Sequence, residues 1–175
     1  MSEKSWLLIT LVGEDRPGIV AHVTRVLFGV GAELGETAMM RLGDQFAIMM
    51  MVRGAGRPEE VTGLLESVRK DFALKIHVDE IDSQLHQHRE PDVSVTVHSA
   101  DRSGIVSEVT AALLEAGMNI LDLRSDVGGT AEKPIYIMQI DGESSQGIEP
   151  IKQQVADFAE QGLNIRVTPI QTLRG

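Results

Sequence analysis

Two short segments carry the residue types best suited to binding chemistry. Asp15-Arg16-Pro17-Gly18-Ile19-Val20 returns 86 positions later as Asp101-Arg102-Ser103-Gly104-Ile105-Val106. Each stands between a run of alternating apolar residues and a run with helical spacing, which makes it a strand-to-helix loop. The first free N–H groups of a helix carry partial positive charge and cradle a carboxylate or phosphate. Gly18 and Gly104 lack a β-carbon, so ligand atoms can approach the backbone. Asp15 and Asp101 can accept a hydrogen bond from an ammonium group. A site offering N–H groups to a carboxylate and a carboxylate to an amine suits a free amino acid. The plainer reading is structural: Asp caps helices, Pro suits a first turn and Gly permits a tight turn. Gly104 separates the two, because a bulky residue there should abolish ligand binding and leave the fold intact.

The elements that must position these loops form a tandem repeat. The match runs on without a gap through Val23-Thr24 and Val109-Thr110, Leu27 and Leu113, Gly31 and Gly117. Leu74-Lys75-Ile76-His77-Val78 echoes Leu163-Asn164-Ile165-Arg166-Val167 at an offset of 89. Each copy opens with a strand, marked by Leu7, Ile9 and Leu11 or by Val93, Val95 and Val97. A helix follows, marked by Ile19, Val20, Val23, Val26, Leu27 and Val30, or by Ile105, Val109, Ala112, Leu113 and Ala116. Gly31 and Gly117 should stop these helices. Two strands come next, joined by a tight Gly43-Asp44 turn in the first copy and a looser Gly128-Gly129-Thr130 region in the second. A second helix starts near Pro58, with Glu59 and Glu60 in its first turn, or near Glu149-Pro150. A last strand spans Leu74 to Ile81 or Leu163 to Ile170.

The order β-α-β-β-α-β, twice, predicts an α+β fold of two tandem ferredoxin-like modules, antiparallel sheets with helices on one face. Domain one is expected over residues 1–82 and domain two over 92–175, with the polar stretch 83–91, ending in Pro91, as linker. Phe46 to Val52 is apolar on both faces, with Phe46, Ile48, Met50 and Val52 on one and Ala47, Met49 and Met51 on the other. A strand of that kind is normally covered on both sides. The helix-free face of the first sheet is therefore expected to pack against the second copy or another chain. Ser94, Thr96 and His98 suit a more solvated face in the second copy.

Composition removes several classes of function. The chain has 16 Lys and Arg against 26 Asp and Glu, a net charge of -10, and 3% aromatic residues. Nucleic-acid binding needs the opposite charge and bases need aromatic platforms, so direct DNA or RNA binding is not expected. No cysteine is present, which removes disulfides, thiolate metal sites and thiol catalysis. Apolar runs such as Ala47 to Val52 are far too short to cross a bilayer, and no signal peptide is visible, so a cytoplasmic protein is expected. His86 and His88 lack a third ligand and read as solvated linker, not as a metal site. His22 and its counterpart Glu108 suit surface positions. Met39, Met40, Met49, Met50 and Met51 read as core and interface filling. The serine elbow, the zinc-binding helix and the P-loop are all missing. The adjacent pairs Glu14-Asp15 and Glu59-Glu60 sit at helix starts, where the dipole accounts for them. Neither an enzyme nor a cofactor is expected.

On Asp-Arg-Pro-Gly-Ile-Val, the Val-Thr that follows, the helix-ending Gly and the order of elements, the chain resembles a pair of ACT domains. Within that family the first copy resembles the glycine cleavage system transcriptional repressor group. The residues that carry this are Gly13-Glu14-Asp15-Arg16-Pro17-Gly18-Ile19-Val20, Thr24-Arg25 and the run from Met40-Arg41-Leu42-Gly43-Asp44 to Met50. The resemblance implies a ligand between two modules, held by the loops Asp15 to Ile19 and Asp101 to Ile105. It also implies contact with the start of the second strand, often through an asparagine. Asn119-Ile120 fits that pattern, whereas the first copy has Glu33-Leu34-Gly35, whose negative charge would repel a carboxylate. It further implies a regulator that senses glycine or serine and acts on a DNA-binding transcription activator by protein contact. Both sheet edges and the open sheet face are capable of dimer formation, so a homodimer is expected. The alternative is a ligand-free interaction module that assembles through its apolar sheet face.

Overall fold

The computed structural model describes residues 5–82, 89–100, 103–130 and 133–170. The chain divides into two compact units, residues 1–87 and 88–175. The first contains β1 (Trp6–Glu14), α1 (Ile19–Gly29), β2 (Glu33–Leu42), β3 (Gln45–Arg53), α2 (Pro58–Leu64), α3 (Glu66–Asp71) and β4 (Lys75–Ile81). The second contains β5 (Val93–Ala100), α4 (Ile105–Glu115), β6 (Met118–Thr130), β7 (Lys133–Ser144), α5 (Ile148–Val155) and β8 (Asn164–Pro169). Their sheets run β2-β3-β1-β4 and β6-β7-β5-β8, antiparallel throughout, the ferredoxin-like order in tandem. Most of the expected linker, with His86 and His88, lies outside the described residues.

Strand alternation builds each core. In β1, Leu7, Ile9 and Leu11 pair with Val52, Met50 and Ile48 of β3, and cross-strand partners share a face. Ile19, Val23 and Leu27 of α1 lie on that face, buried in one cluster with Phe46, Val61 and Leu65. Val93, Val95 and Val97 of β5 form the second core with Ile105, Val109 and Leu113 of α4. Gly31 (φ 73) and Gly117 (φ 76) end these helices in the left-handed conformation. After α1 the Gly31 N–H donates to Phe28 O and the Ala32 N–H to Leu27 O, so a Schellman motif satisfies two terminal carbonyls.

The second helix of the first unit is less regular than its sequence suggests. It is interrupted at Leu65 (ψ 0), although the Leu65 N–H still donates to Val61 O and the Arg69 N–H to Leu65 O. Gly63, a poor helix former, stands beside the break. Beyond it Glu66 accepts two hydrogen bonds from Arg69, at 2.6 and 2.7 Å, and lies 3.2 Å from Lys70. The Arg69 hydrogen bonds first, then Lys70, pull the Glu66 carboxyl down to about 2. A carboxylate lowered on folding stabilises the fold above its unfolded value and loses that contribution as pH falls through its folded value. Denaturation midpoints should therefore fall between about pH 4.5 and 2 more steeply in the parent than in Glu66→Gln. Equal slopes would show that this pair does not contribute.

The second hairpin also differs from expectation. β6 and β7 stay paired up to Thr130 and Lys133, so the Gly128-Gly129-Thr130 stretch is strand. Gly129 (φ 84) allows an irregular edge strand to continue.

The helix-free faces differ in residue type, apolar in the first sheet and polar in the second, but the first is not the more buried of the two. In the first sheet Met51 is buried, whereas Met49 and Met40 are 47% and 61% exposed. Met39 is also exposed and Met50 is core, so the methionines divide between interior and surface. In the second sheet Ser94 and Thr96 are half-buried and His98 is exposed.

Candidate functional site

Both loops deliver the chain to a helix by the same device. Gly18 has φ 94 and ψ -9, and Gly104 has φ 91 and ψ -12; each is the N-cap of its helix. Neither helix start has a side-chain cap. The glycines are thus required by a left-handed backbone, which costs any other residue roughly 1–2 kcal/mol. A bulky residue at Gly104 therefore strains the backbone, and the expectation of an intact fold does not hold without cost.

Asp15 does not cap α1. Its carboxylate pairs with Arg41 of β2 at 2.7 Å, and its N–H donates to Asp44 O. The guanidinium of Arg16 donates to Asp71 O at 3.1 Å and stands 5.3 Å from the Phe72 ring centre, tying the loop to the end of α3. His22 sits on exposed helix surface, as expected, but it also braces the loop: Nδ1 lies 2.7 Å from Gly18 O, and a carbonyl only accepts, so Nδ1 carries the proton. The His22 and Phe72 rings meet edge to face at 5.2 Å. Pro17 is exposed, and the Ile19 side chain belongs to the core, which leaves only backbone groups of Ile19 for the loop.

In the second unit Asp101 and Arg102 lie outside the described residues. Ser103 is exposed, and Ile105 is core like Ile19. Glu108 occupies the place of His22, and its N–H donates to Gly104 O. An acid in the first turn of α4, absent from α1, makes the two helix starts electrostatically unequal.

The starts of β2 and β6 are matched too. Each strand carries one extra residue against its neighbour, with the register shifting between Leu34 and Thr37 and between Ile120 and Asp122. Bulges of this kind re-aim side chains. Glu33 pairs with Arg53 through a close ion pair, and the Arg53 guanidinium lies 4.8 Å from the Trp6 ring centre. The negative charge that should repel a carboxylate is thus balanced at its own position. In the second unit Asn119 Nδ2 donates to Glu143 at 3.3 Å, and Glu143 also holds Arg89. Asn119 is exposed and Ile120 half-buried.

Topology separates loop from strand start. Glu33 is level with Arg53 and Trp6 at one end of the first sheet, whereas Asp15 follows Glu14 at the other. The eight residues between imply about 25 Å. Asn119 and Ser103 are likewise at opposite ends of the second sheet. No single module brings the two halves of the expected site together.

Arg41 and Phe72 are loop-bracing residues that sequence reasoning did not single out, and it read His22 as surface alone. Only Arg41 had a signal, its place in the Met40-Arg41-Leu42-Gly43-Asp44 run. Among the described residues there is no group of three His, Asp or Glu able to hold a metal. No described helix is long and apolar enough to cross a membrane.

Two repeated βαββαβ units, each with a helix started on a left-handed glycine, define a tandem of small α+β modules. Residues 5–79 match the family model for the ACT domain. Over 129 residues the chain is 28% identical to the glycine cleavage system transcriptional repressor of Escherichia coli (strain K12), covering 71% of this chain and 66% of that protein. It is 31% identical over 86 residues to a UPF0237 protein of Methanococcus maripaludis, 47% of this chain and 96% of that one. The fold matches a crystal structure described as a candidate glycine cleavage system transcriptional repressor, with TM-score 0.70 and 20% identity, over 98% of this chain and 100% of that one. The chain belongs to the ACT-domain proteins.

Proposed function

We propose that this protein is an amino-acid-responsive regulator that senses glycine or serine and passes the signal to a protein partner, a DNA-binding transcription activator. The observation that carries the reading is the pair of helix starts, each on a left-handed glycine and free of side-chain caps. The ligand carboxylate takes N–H groups at Gly18-Ile19 or Gly104-Ile105, and its ammonium group takes Asp15 or Asp101. Asn119 or the Glu33–Arg53 pair closes the site from a second module, because no module holds both halves. The similarity to a repressor of the glycine cleavage system supports the choice of ligand and of partner. A net charge of -10 supports protein contact over direct DNA contact. The working unit in this reading is a cytoplasmic homodimer of chains with domains 1–82 and 92–175.

Calorimetric titration with glycine, then serine, then the other amino acids tests the reading. A saturable heat for one or two of them is expected, weakened tenfold or more by Asn119→Asp or Ser103→Asp, both of which place a carboxylate at an exposed position. Silence across the panel from a folded protein would discard the sensor and leave the ligand-free interaction module.

A further inference from the structure

The two modules finish their sheets differently. The Leu74 N–H donates to Arg69 O and the Leu163 N–H to Phe158 O, the same bond 89 residues apart. That offset makes Ala159 the counterpart of Lys70 and Arg166 the counterpart of His77. Around β4 the first module sets charge: Lys70 pairs with Glu66, His77 lies 3.1 Å from Asp79, and Lys75 and Glu80 are exposed. Charged side chains along an edge deter a further strand.

Around β8 the small residues leave room instead. A groove of about 370 Å³ runs between the strand and the helix layer. Val155, Ala156 and Ala159 line it from the helix layer, and Leu163, Ile165 and Val167 from the strand. The backbone of β8 is open on the same side. Pro169 has no N–H, yet it pairs with Val93, and the Ile170 N–H donates to Asp92 O. Backbone groups alternate along an antiparallel strand, so Arg166 and Thr168 share the direction of Ile170, toward β5. Ile165 and Val167 therefore turn their N–H and C=O groups outward, where β8 has no neighbour among the described residues. A strand added there would pair with these groups and drop every second side chain into the groove.

Charge specifies what such a strand should carry. The groove is lined by Lys152 and Arg166 and by no acid, in a chain of net charge -10. Lys152 is shared with Glu149 at 2.8 Å, whereas Arg166 has no ion pair among the described residues. Arg166 alternates with Ile165 and Val167, so it meets the other face of an added strand. Apolar residues on one face and carboxylates on the other satisfy both. A second β8 would not, because it brings another Arg166.

We infer that β8 and its groove take up an extended acidic segment of a partner protein as a fifth strand of the second sheet. The inference rests on this edge and stands whether or not the protein binds an amino acid. Fluorescence anisotropy of a short labelled peptide of alternating Val and Glu, titrated with the full chain, tests it. Saturable binding is expected, and a peptide of alternating Val and Lys should bind about tenfold more weakly or worse. Methylating the peptide nitrogens that face β8 keeps every side chain and should abolish binding. Arg166→Glu and Ala159→Gln, both at exposed positions, should each weaken the Val–Glu peptide about tenfold, and Arg166→Glu should strengthen the Val–Lys peptide. His77→Ala on the first edge should change neither. No uptake of the Val–Glu peptide at millimolar protein would overturn the inference. So would a methylated peptide that binds as well as its parent, or binding indifferent to Arg166→Glu.

Discussion

Replacing Gly142 by alanine should destabilise the second unit by about 3 kcal/mol or more. An ideal β-carbon at this position would lie 2.3 Å from Asn119 O and 3.1 Å from Asn119 C, both backbone atoms, and 2.8 Å from Met118 Cε. Side chains can rotate away from such a clash, but the backbone of a paired strand cannot. The crowding has a local cause. The extra residue Leu121 falls directly between the pairs Ile120–Gly142 and Asp122–Asp141, and there β6 bends onto its neighbour. Gly128 provides the control, since a β-carbon there meets only Ile137 Cδ1 at 3.8 Å and Ile135 O at 4.0 Å. Thermal unfolding should show the Gly142→Ala midpoint lowered by more than about 10 °C for a unit of this size, with Gly128→Ala close to the parent. Matching midpoints in the two variants would mean that β6 can retreat at no cost. Because the clash is with Asn119 itself, the same variant should disturb the strand start proposed to close the ligand site.

Leu27→Ala should have a comparable effect on the first unit, about 3–5 kcal/mol. Leu27 is 0% exposed, and its carbonyl accepts the closing hydrogen bond of the Schellman motif at the end of α1. Truncation leaves a void between α1 and the β1–β3 face, where Ile9, Leu11 and Met50 are equally buried. Val20 on the same helix is 41% exposed, and Val20→Ala should stay within about 0.5 kcal/mol of the parent. Urea denaturation followed by the signal of Trp6, the single tryptophan, reports on this unit. An unchanged midpoint in Leu27→Ala would contradict the packing described for α1. Since α1 presents the Gly18 N-cap, this variant should also weaken any response to amino acids that uses the first loop.

The repeat made most of the architecture legible. Ungapped similarity from Asp15 to Gly31 and from Asp101 to Gly117 placed both first helices and their glycine stops, because these depend on local backbone chemistry. Alternation in β1, β3 and β5 placed the cores for the same reason. Partners distant in sequence were not legible. Asp15 is a good N-cap by type, yet the strand register brings Arg41 to it, and nothing within a few residues reveals that. Glu33 looked hostile to a carboxylate until the pairing of β2 with β3 set Arg53 beside it. Nothing near Gly142 in the sequence marks it out, and only the bulge at Leu121 shows why no side chain fits. Val20 and Val30 share the apolar run of the first helix with core residues, and only the direction of the sheet decides that these two face out.

The separation of loop and strand start by the length of a sheet has a thermodynamic consequence. A module that owns half of the proposed site needs a neighbour to complete it, so raising the metabolite fills the site only by drawing the two together. In such a design occupancy and assembly are linked variables: the metabolite tightens the module pairing by the same factor by which the pairing tightens the metabolite. Dilution of the protein would then act as an antagonist, and cellular abundance of the chain would set its sensitivity along with the abundance of the amino acid.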